Sequence, residues 1–488
     1  MAKPKAEKAN AKKEKQAGIT VRKEDDMPEW YSQVVLKSEL ADYAPIKGCM
    51  VLRPLGNQIW TKIQTELDSM IFKQGVSNAY FPMFIPEEFF KRESQHAEGF
   101  KAEVAWIEPR SEDSARYAIR PTSETIMYNS YSRWIRSWRD LPLRINQWCN
   151  ICRWEVQDCK LFLRSREFLW QEGHCVYVTE EDCHVETHLF LENYRRIAED
   201  LLAVPVILGQ KTEKEKFAGA LRTYTIEGFM PDGKALQLGT SHDLGQGFAK
   251  AFEVKFVGKD EREQYAWQNS WGISWRMIGG MVMTHSDNKG LVIPPRAAYH
   301  KIVIVPILFE DTKDKVLKEC RKLMDKLGLY NPLLDERDEY SAGWKFNEWE
   351  MKGIPLRIEL GPKDIEKEQA VVVRRDTAEK KIIKVKDLVN EIPVLLEKMQ
   401  SELLAKAKKV MESNIVSAKD WEDFLKKIKD RKLVKASFCG EISCEEVIKE
   451  KTQGVTSRCI PLDGEKKKGK CVHCGKDSEL VVYFAKAY

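Results

Sequence analysis

The chain has 488 residues, 43% of them apolar, with 80 basic and 75 acidic side chains and a net charge of +5. That supports about three domains with their own cores, and the near-balanced charge demands no nucleic-acid partner by itself. The absence of any run of about 18 apolar residues, or of an apolar secretory leader, argues against a membrane-spanning or exported protein and leaves a cytoplasmic one as the expectation.

Residues 1–17, MAKPKAEKANAKKEKQA, are rich in lysine and alanine and contain almost nothing large and apolar, which predicts a disordered basic tail. From residue 18 to 297 helical stretches such as IWTKIQTELDSMIFKQG alternate with short apolar or aromatic runs, among them NAYFPMFI, KALQLG and AFEVKFVG. Strands divided by helices and by Gly, Pro and Asp turns predict one large α+β domain on a mostly antiparallel sheet, closed by Pro294-Pro295-Arg296. Next, KIVIVPILF reads as a buried strand, DTKDKVLKECRKLMDKLG as a helix stopped by Gly328, and PLRIELG and QAVVVRRD as further strands. This spacing predicts a small α/β domain over 298–386. A long helix, DLVNEIPVLLEKMQSELLAKAKKVMESN, opens the last segment, 387–488, which is rich in lysine and cysteine.

The twelve cysteines are scattered without the spacing of a small disulfide scaffold. Two close pairs stand out, Cys439 and Cys444 in FCGEISC and Cys471 and Cys474 in KCVHCGK. Two thiolate pairs separated by a loop suit a closed tetrahedral zinc site of structural type, with Cys459 or His473 as an alternative fourth ligand.

In QWCNICRWE (147–155) an arginine and a glutamate lie one residue apart. If the stretch is a strand throughout, Gln147, Cys149, Ile151, Arg153 and Glu155 share one face and Trp148, Asn150, Cys152 and Trp154 the other. RSREFLWQEGH follows at 164–174, so a hairpin would gather Arg153, Arg164 and Arg166 at its mouth over Phe168 and Trp170. Guanidinium groups neutralise phosphate and an aromatic face covers a base, which suits a nucleoside triphosphate; a structural ion-pair network would use the same residue types.

This segment resembles motif 2 of class II aminoacyl-tRNA synthetases. GVSNAYFPMFIP, with Pro82, is similar to their motif 1, and NSWGISWRMIGG, with Arg276, to their motif 3. RPTSET at 120–125, NQWCNICRWE, FLWQEGH, KTEKEKFAGA at 211–220, LGTSHDLGQ at 238–246 and GWKFNEWEMKGIPLRIELGP at 343–362 further resemble prolyl-tRNA synthetases of the archaeal and eukaryotic type. Only about a hundred residues separate motifs 2 and 3, too few for the editing domain that bacterial-type enzymes insert there.

The resemblance implies a class II catalytic domain, an α/β anticodon-binding domain and a small zinc-binding α+β domain. It also implies ATP and magnesium as requirements, a homodimer joined through motif 1, and L-proline and tRNA(Pro) as substrates. Arg153 would bridge the proline carboxylate and the ATP α-phosphate, with Glu155 on the adenine side. Arg164, Ser165, Phe168, Gln237, Thr240, Ser274 and Arg276 would complete the ATP site, with Gln237 helping a magnesium ion. Thr122 and Glu124 would receive the prolyl ammonium, and Trp170, Glu172, Phe217 and His242 would line the ring pocket. Such a pocket would also admit alanine or cysteine at a cost of only about 1–3 kcal/mol per missing methylene. In the second domain Lys345, Lys352 and Arg357, interleaved with Trp344, Phe346 and Trp349, offer charge for phosphates and flat faces for unstacked bases. The rival reading, a non-catalytic synthetase-like tRNA-binding protein, would be expected to have lost the phosphate-binding arginines that are present here.

Overall fold

The computed structural model describes residues 18–94, 104–109, 111, 115–464 and 468–488. The expected basic tail, 1–17, lies outside the described residues.

Helix α1 (Met27–Lys37) is capped by Asp26, whose carboxylate accepts the Glu29 amide, and it buries Trp30, Tyr31, Val34 and Val35. Helix α2 (Pro54–Ile71) starts with proline in its first turn, where the missing N–H costs nothing, and Gly75 turns the chain out at φ +79°. Strand β1 (Ser77–Asn78) leads into the motif 1 segment, and α3 (Glu124–Trp134) follows. The hairpin β2 (Leu143–Cys152) and β3 (Glu167–Tyr177), helix α4 (Glu180–Arg196), strands β4 (Ile207–Gln210), β5 (Arg222–Phe229), β6 (Lys234–Gly245) and β7 (Trp267–Ser274), and helix α5 (Arg276–His285) complete the first domain. The segment between β3 and β7 is thus used up by elements of the core itself, which matches the expected lack of an inserted domain.

Pairing from β4 through β2 is antiparallel, and short β1 joins parallel. Helices α1, α2, α4 and α5 cover one face, with Trp30, Tyr31, Ile63, Phe190, Tyr194, Trp271 and Met281 in one core. The sheet is therefore apolar on its helix-covered side, and its other face is free to carry polar chemistry.

The second domain has the expected α/β form: β8 (Ile302–Pro306), α6 (Lys313–Lys326), β9 (Leu333–Leu334), α7 (Ala342–Lys352), β10 (Leu356–Leu360), β11 (Gln369–Arg374) and β12 (Lys380–Lys384). Its sheet order is β9-β8-β10-β11-β12, parallel around β8 and antiparallel beyond β10. Helix α8 (Leu388–Asn414) ties it to the first domain, where Gln400 donates to the carbonyls of Asp200 and Leu201 and Arg296 pairs with Glu397.

The last segment, β13 (Ile415–Ser417), α9 (Trp421–Lys429), β14 (Leu433–Phe438), α10 (Ile442–Lys451), β15 (Val455–Pro461) and β16 (Leu480–Ala487), is no detached module. Its strands extend the first domain's sheet into eleven strands, ordered β13-β14-β16-β15-β4-β5-β6-β7-β3-β2-β1. The join is Ile460 opposite Gln210 and Pro461 opposite Gly209, and a Cβ on Gly209 would lie 2.4 Å from Cβ of Cys459. Only glycine lets the two domains close here.

Candidate active site

Two adjoining clefts open on the polar face of the sheet. The first, about 270 Å³, is lined by Thr122, Glu124, Arg153, Trp170, Glu172, Phe217, Gln237, Thr240 and His242, among others. The second is lined by Glu155, Arg164 and Ser165, and it shares Arg153, Phe168, Ser274 and Arg276 with the first. Every residue expected at the amino-acid or nucleotide site therefore lines one cleft or both.

The floor of the first cleft is a buried hydrogen-bond network. Arg120, fully buried, donates to the carbonyls of Phe81 and Asn150 and so fixes the RPTSET turn against β2. Ser123 then donates its amide to Glu172, while Gln147 donates to both Ser123 Oγ and Glu172. This sets Glu124 on the first turn of α3, where the helix dipole favours a carboxylate and the Thr122 hydroxyl donates to it. Gly173 is required between Glu172 and His174, since a Cβ there would lie 2.0 Å from the Trp271 ring.

His174 Nε2 meets Glu172 Oε2 at 3.1 Å, and Nδ1 lies 3.0 Å from the Tyr128 hydroxyl. Burial disfavours the imidazolium, but the bond to Glu172 and the charges of Glu124 and Glu172 outweigh it and raise the His174 pKa. Burial likewise opposes the Glu172 carboxylate, yet the hydrogen bonds and charge of His174, with those of Ser123 and Gln147, hold its pKa below the ordinary value. Glu124, Glu172 and His174 could each offer a ligand atom to a metal, but each is already committed to a hydrogen-bond partner, so the set reads as a satisfied network.

His242 behaves oppositely. Burial, helped by the charges of His174 and Lys211, lowers its pKa to about 3, so it is neutral at pH 7. The Thr223 hydroxyl accepts the Phe217 amide at 2.9 Å, which leaves its own proton for His242 Nδ1 at 3.0 Å. That bond assigns the remaining ring proton to Nε2. Phe217 packs 4.8 Å from the His242 ring, forming an apolar wall.

At the junction the Arg153 guanidinium lies 5.5 Å from the Phe168 ring and 5.8 Å from Trp170, accessible to solvent. Arg276 is held by the carbonyls of Leu163 and Gln237. Burial lowers its pKa to about 10, the nearby charges of Arg153 and Arg164 adding to the effect against Glu227. Three guanidiniums gathered at the start of α5 make a field suited to a polyanion.

Two expectations are corrected. Strand β2 ends at Cys152, so Arg153 and Glu155 do not share a strand face: Arg153 donates its amide to the Arg166 carbonyl at 2.7 Å and the chain turns at Trp154-Glu155. Leaving the pleat is what separates Arg153, at the junction, from Glu155, in the outer cleft. In the second domain Lys345, Arg357 and Lys352 are not free for phosphates. Lys345 is buried and donates to the Asp335 carbonyl, Arg357 is buried between Glu359 and Glu350, and Lys352 pairs with Glu348 and Glu39. Trp344, stacked 3.9 Å from Tyr340, keeps a partly exposed aromatic face.

Glu215, His174 and Thr223 also line the first cleft without having been assigned there from sequence. The signal for His174 was present: two residues after Glu172 on one strand, it must face the same side. At the other end of the sheet the sulfurs of Cys439, Cys444, Cys471 and Cys474 all lie within 4.8 Å of one another, and Cys474 is 3.8 Å from Cys439. A tetrahedron with zinc–sulfur bonds of ~2.3 Å has sulfurs about 3.8 Å apart, so the four thiols fit a zinc ion. Cys459 packs elsewhere, against Ala235, Leu433 and Tyr483. His473 borders the cluster, its Nδ1 3.4 Å from Cys444 Sγ.

The antiparallel sheet with arginines at its hairpin and at the start of α5 is that of a class II tRNA synthetase: residues 100–283 match the family model for the class II core domain (G, H, P, S and T). Residues 301–395 match the anticodon-binding domain and 421–488 the prolyl-tRNA synthetase C-terminal domain. A proline–tRNA ligase of Natranaerobius thermophilus is 48% identical, covering 95% of this chain and 97% of its own. Proline–tRNA ligase 2 of Clostridioides difficile is 46% identical over 98% of this chain and all of its own. The crystal structure of prolyl-tRNA synthetase from Cryptosporidium parvum, complexed with halofuginone and AMPPNP, superposes with a TM-score of 0.91 at 43% identity, covering 97% of each chain. The chain belongs to the prolyl-tRNA synthetase family.

Proposed function

We infer that the protein is a proline–tRNA ligase. A proline carboxylate oxygen attacks the α-phosphorus of ATP, pyrophosphate leaves, and the terminal ribose hydroxyl of tRNA(Pro) then takes the prolyl group from the adenylate, releasing AMP. The observation that carries this reading is the position of Arg153 where the two clefts meet, since one guanidinium there can hold the carboxylate and the α-phosphate together. Glu124 and Thr122 receive the secondary ammonium, and Trp170, Phe217, Glu172 and His242 enclose the ring. Phe168 stacks the adenine, Glu155 binds its edge, and Arg164, Ser165, Thr240, Ser274 and Arg276 hold the rest of ATP. Magnesium, when bound, would neutralise phosphate charge, and the Gln237 amide oxygen is of the type that would hold it. Retention of Arg153, Arg276 and Glu124 argues against a non-catalytic tRNA-binding role. The deciding test is ATP–pyrophosphate exchange without tRNA, one amino acid at a time: proline should drive it, and a folded protein inert with all amino acids would reverse the assignment.

Alanine lacks two ring carbons, so discrimination by the pocket is limited to about 1–3 kcal/mol for each. Alanine should therefore support measurable exchange at millimolar concentration, and so should cysteine. Absence of any alanine-dependent exchange at 100 mM would mean the pocket rejects small side chains by another route.

The four-cysteine cluster is read as a structural zinc site. Metal analysis should return one zinc per chain, and Cys471→Ser should lose it and unfold at lower temperature; an unchanged metal content would remove the assignment. Homodimer formation is supported by the large apolar groups left exposed between residues 72 and 134, Phe72, Tyr80, Phe84 and Trp134 being at least half exposed. Among the described residues no helix is long and apolar enough to cross a membrane.

A further inference from the structure

The 211–220 loop carries Glu215 and Phe217 into the first cleft, and its start is clamped by the C-terminal domain. Two consecutive residues are gripped. Lys211 Nζ meets Glu227 at 2.7 Å, and Arg458 of β15 meets the same carboxylate at 2.9 Å. Thr212 donates its hydroxyl to Glu445 of α10 at 3.0 Å and lies 3.0 Å from Ser457 Oγ, while Ser457 donates to the other Glu445 oxygen. Glu445 is 1% exposed and Ser457 fully buried, and among the described residues Glu445 has no cationic partner.

Thr212 is also the pivot of the loop. Its carbonyl accepts the amides of Glu215 and Lys216, at 3.1 and 3.0 Å, and Phe217 is then hung on Thr223 Oγ1, the hydroxyl that orients His242. The outer nucleotide cleft is built from the β2–β3 turn, β7, α5 and the C-terminal Tyr488, and neither Thr212, Glu445 nor Ser457 is among its lining residues. The clamp meets the ATP residues only through Glu227, which lies opposite Gln237 and whose charge reaches Arg276.

We propose that Glu445 is a positioning residue for the amino-acid pocket, acting through Thr212 to hold Phe217 and, through Thr223, His242. This rests on the first cleft being the proline pocket. The C-terminal domain then sets amino-acid affinity from outside the cleft, and the residue that does so follows Cys444 directly on α10.

The test is exchange kinetics on the full-length protein with Thr212→Val, which keeps the shape and removes the hydroxyl, Glu445→Gln, and Thr212→Ser as the restoring variant. Thr212→Val and Glu445→Gln should each raise the proline KM about 10-fold, leave the ATP KM within about twofold, and combine in the double variant to much less than the product. Thr212→Ser should return the proline KM to near its original value. A fall in Tm with no change in the ratio of the two KM values, or equal rises in both, would overturn the proposal by showing a merely structural contact. Wild-type protein not stimulated by proline would instead bring down the functional reading beneath it.

Discussion

Arg153→Ala is expected to reduce proline-dependent ATP–pyrophosphate exchange by about 10³-fold or more while leaving the protein folded. Removing one preorganised donor from a site of developing charge costs about 10²–10³ in rate, and this guanidinium is asked to serve two groups at once, the nucleophilic carboxylate and the phosphate it attacks. The fold should survive because Arg153 is solvent-accessible and lies past the end of β2. Arg153→Lys supplies the charge as a point without the planar fork, so it should recover only part of the loss. Exchange in Arg153→Ala within tenfold of wild type, at an unchanged Tm, would mean that the two substrates are aligned by Arg276 and Arg164 alone.

The residues at the two clefts were legible because each sits in a short segment whose type and spacing are distinctive: a carboxylate and hydroxyl in RPTSET, aromatic and acidic residues alternating in FLWQEGH, an arginine just after a strand in NSWGISWRMIGG. What the sequence could not supply was three-dimensional pairing. Period-2 alternation extends any strand until something ends it, and nothing in the letters CRWE says that the Arg153 amide will bond back to Arg166 and stop the pleat at Cys152. The lysine and arginine of GWKFNEWEMKGIPLRIELGP read as charge for phosphates, yet Asp335, just past β9, takes Lys345, and Glu350 and Glu359 of the same segment fold back onto Arg357. Likewise the C-terminal segment reads as a separate cysteine-rich domain. That it continues the catalytic sheet depends on Gly209 opposite Pro461, a contact 252 residues apart that no local pattern encodes.

Glu172→Gln is expected both to weaken proline binding and to remove a pH dependence of stability. Glu172 and His174 are 2% and 1% exposed, so their charges are sheltered from water and each depends on the other. Breaking one partner of such a pair costs about 3–5 kcal/mol, and the neutral amide also offers one acceptor oxygen where the carboxylate offers two, to Ser123, Gln147 and His174. The signs follow from the shifts. The Glu172 pKa is lowered from 4.5, so its contribution is present above about pH 4.5 and disappears as pH falls through the depressed value. The His174 pKa is raised from 6.5, so its contribution is complete below about pH 6.5 and disappears as pH rises through the elevated value. Wild type should therefore lose Tm from neutral towards alkaline pH through this pair, whereas in Glu172→Gln the opposing desolvation of His174 is no longer balanced by its partner, the ring becomes neutral, and the alkaline slope flattens. Because Ser123 and Gln147 position the turn that carries Thr122 and Glu124, the same variant should raise the proline KM more than tenfold. A variant with wild-type Tm at pH 7 and an unaltered slope to pH 9 would show that Glu172 and His174 share no charge, and that the pocket floor is held by the neutral hydrogen bonds alone.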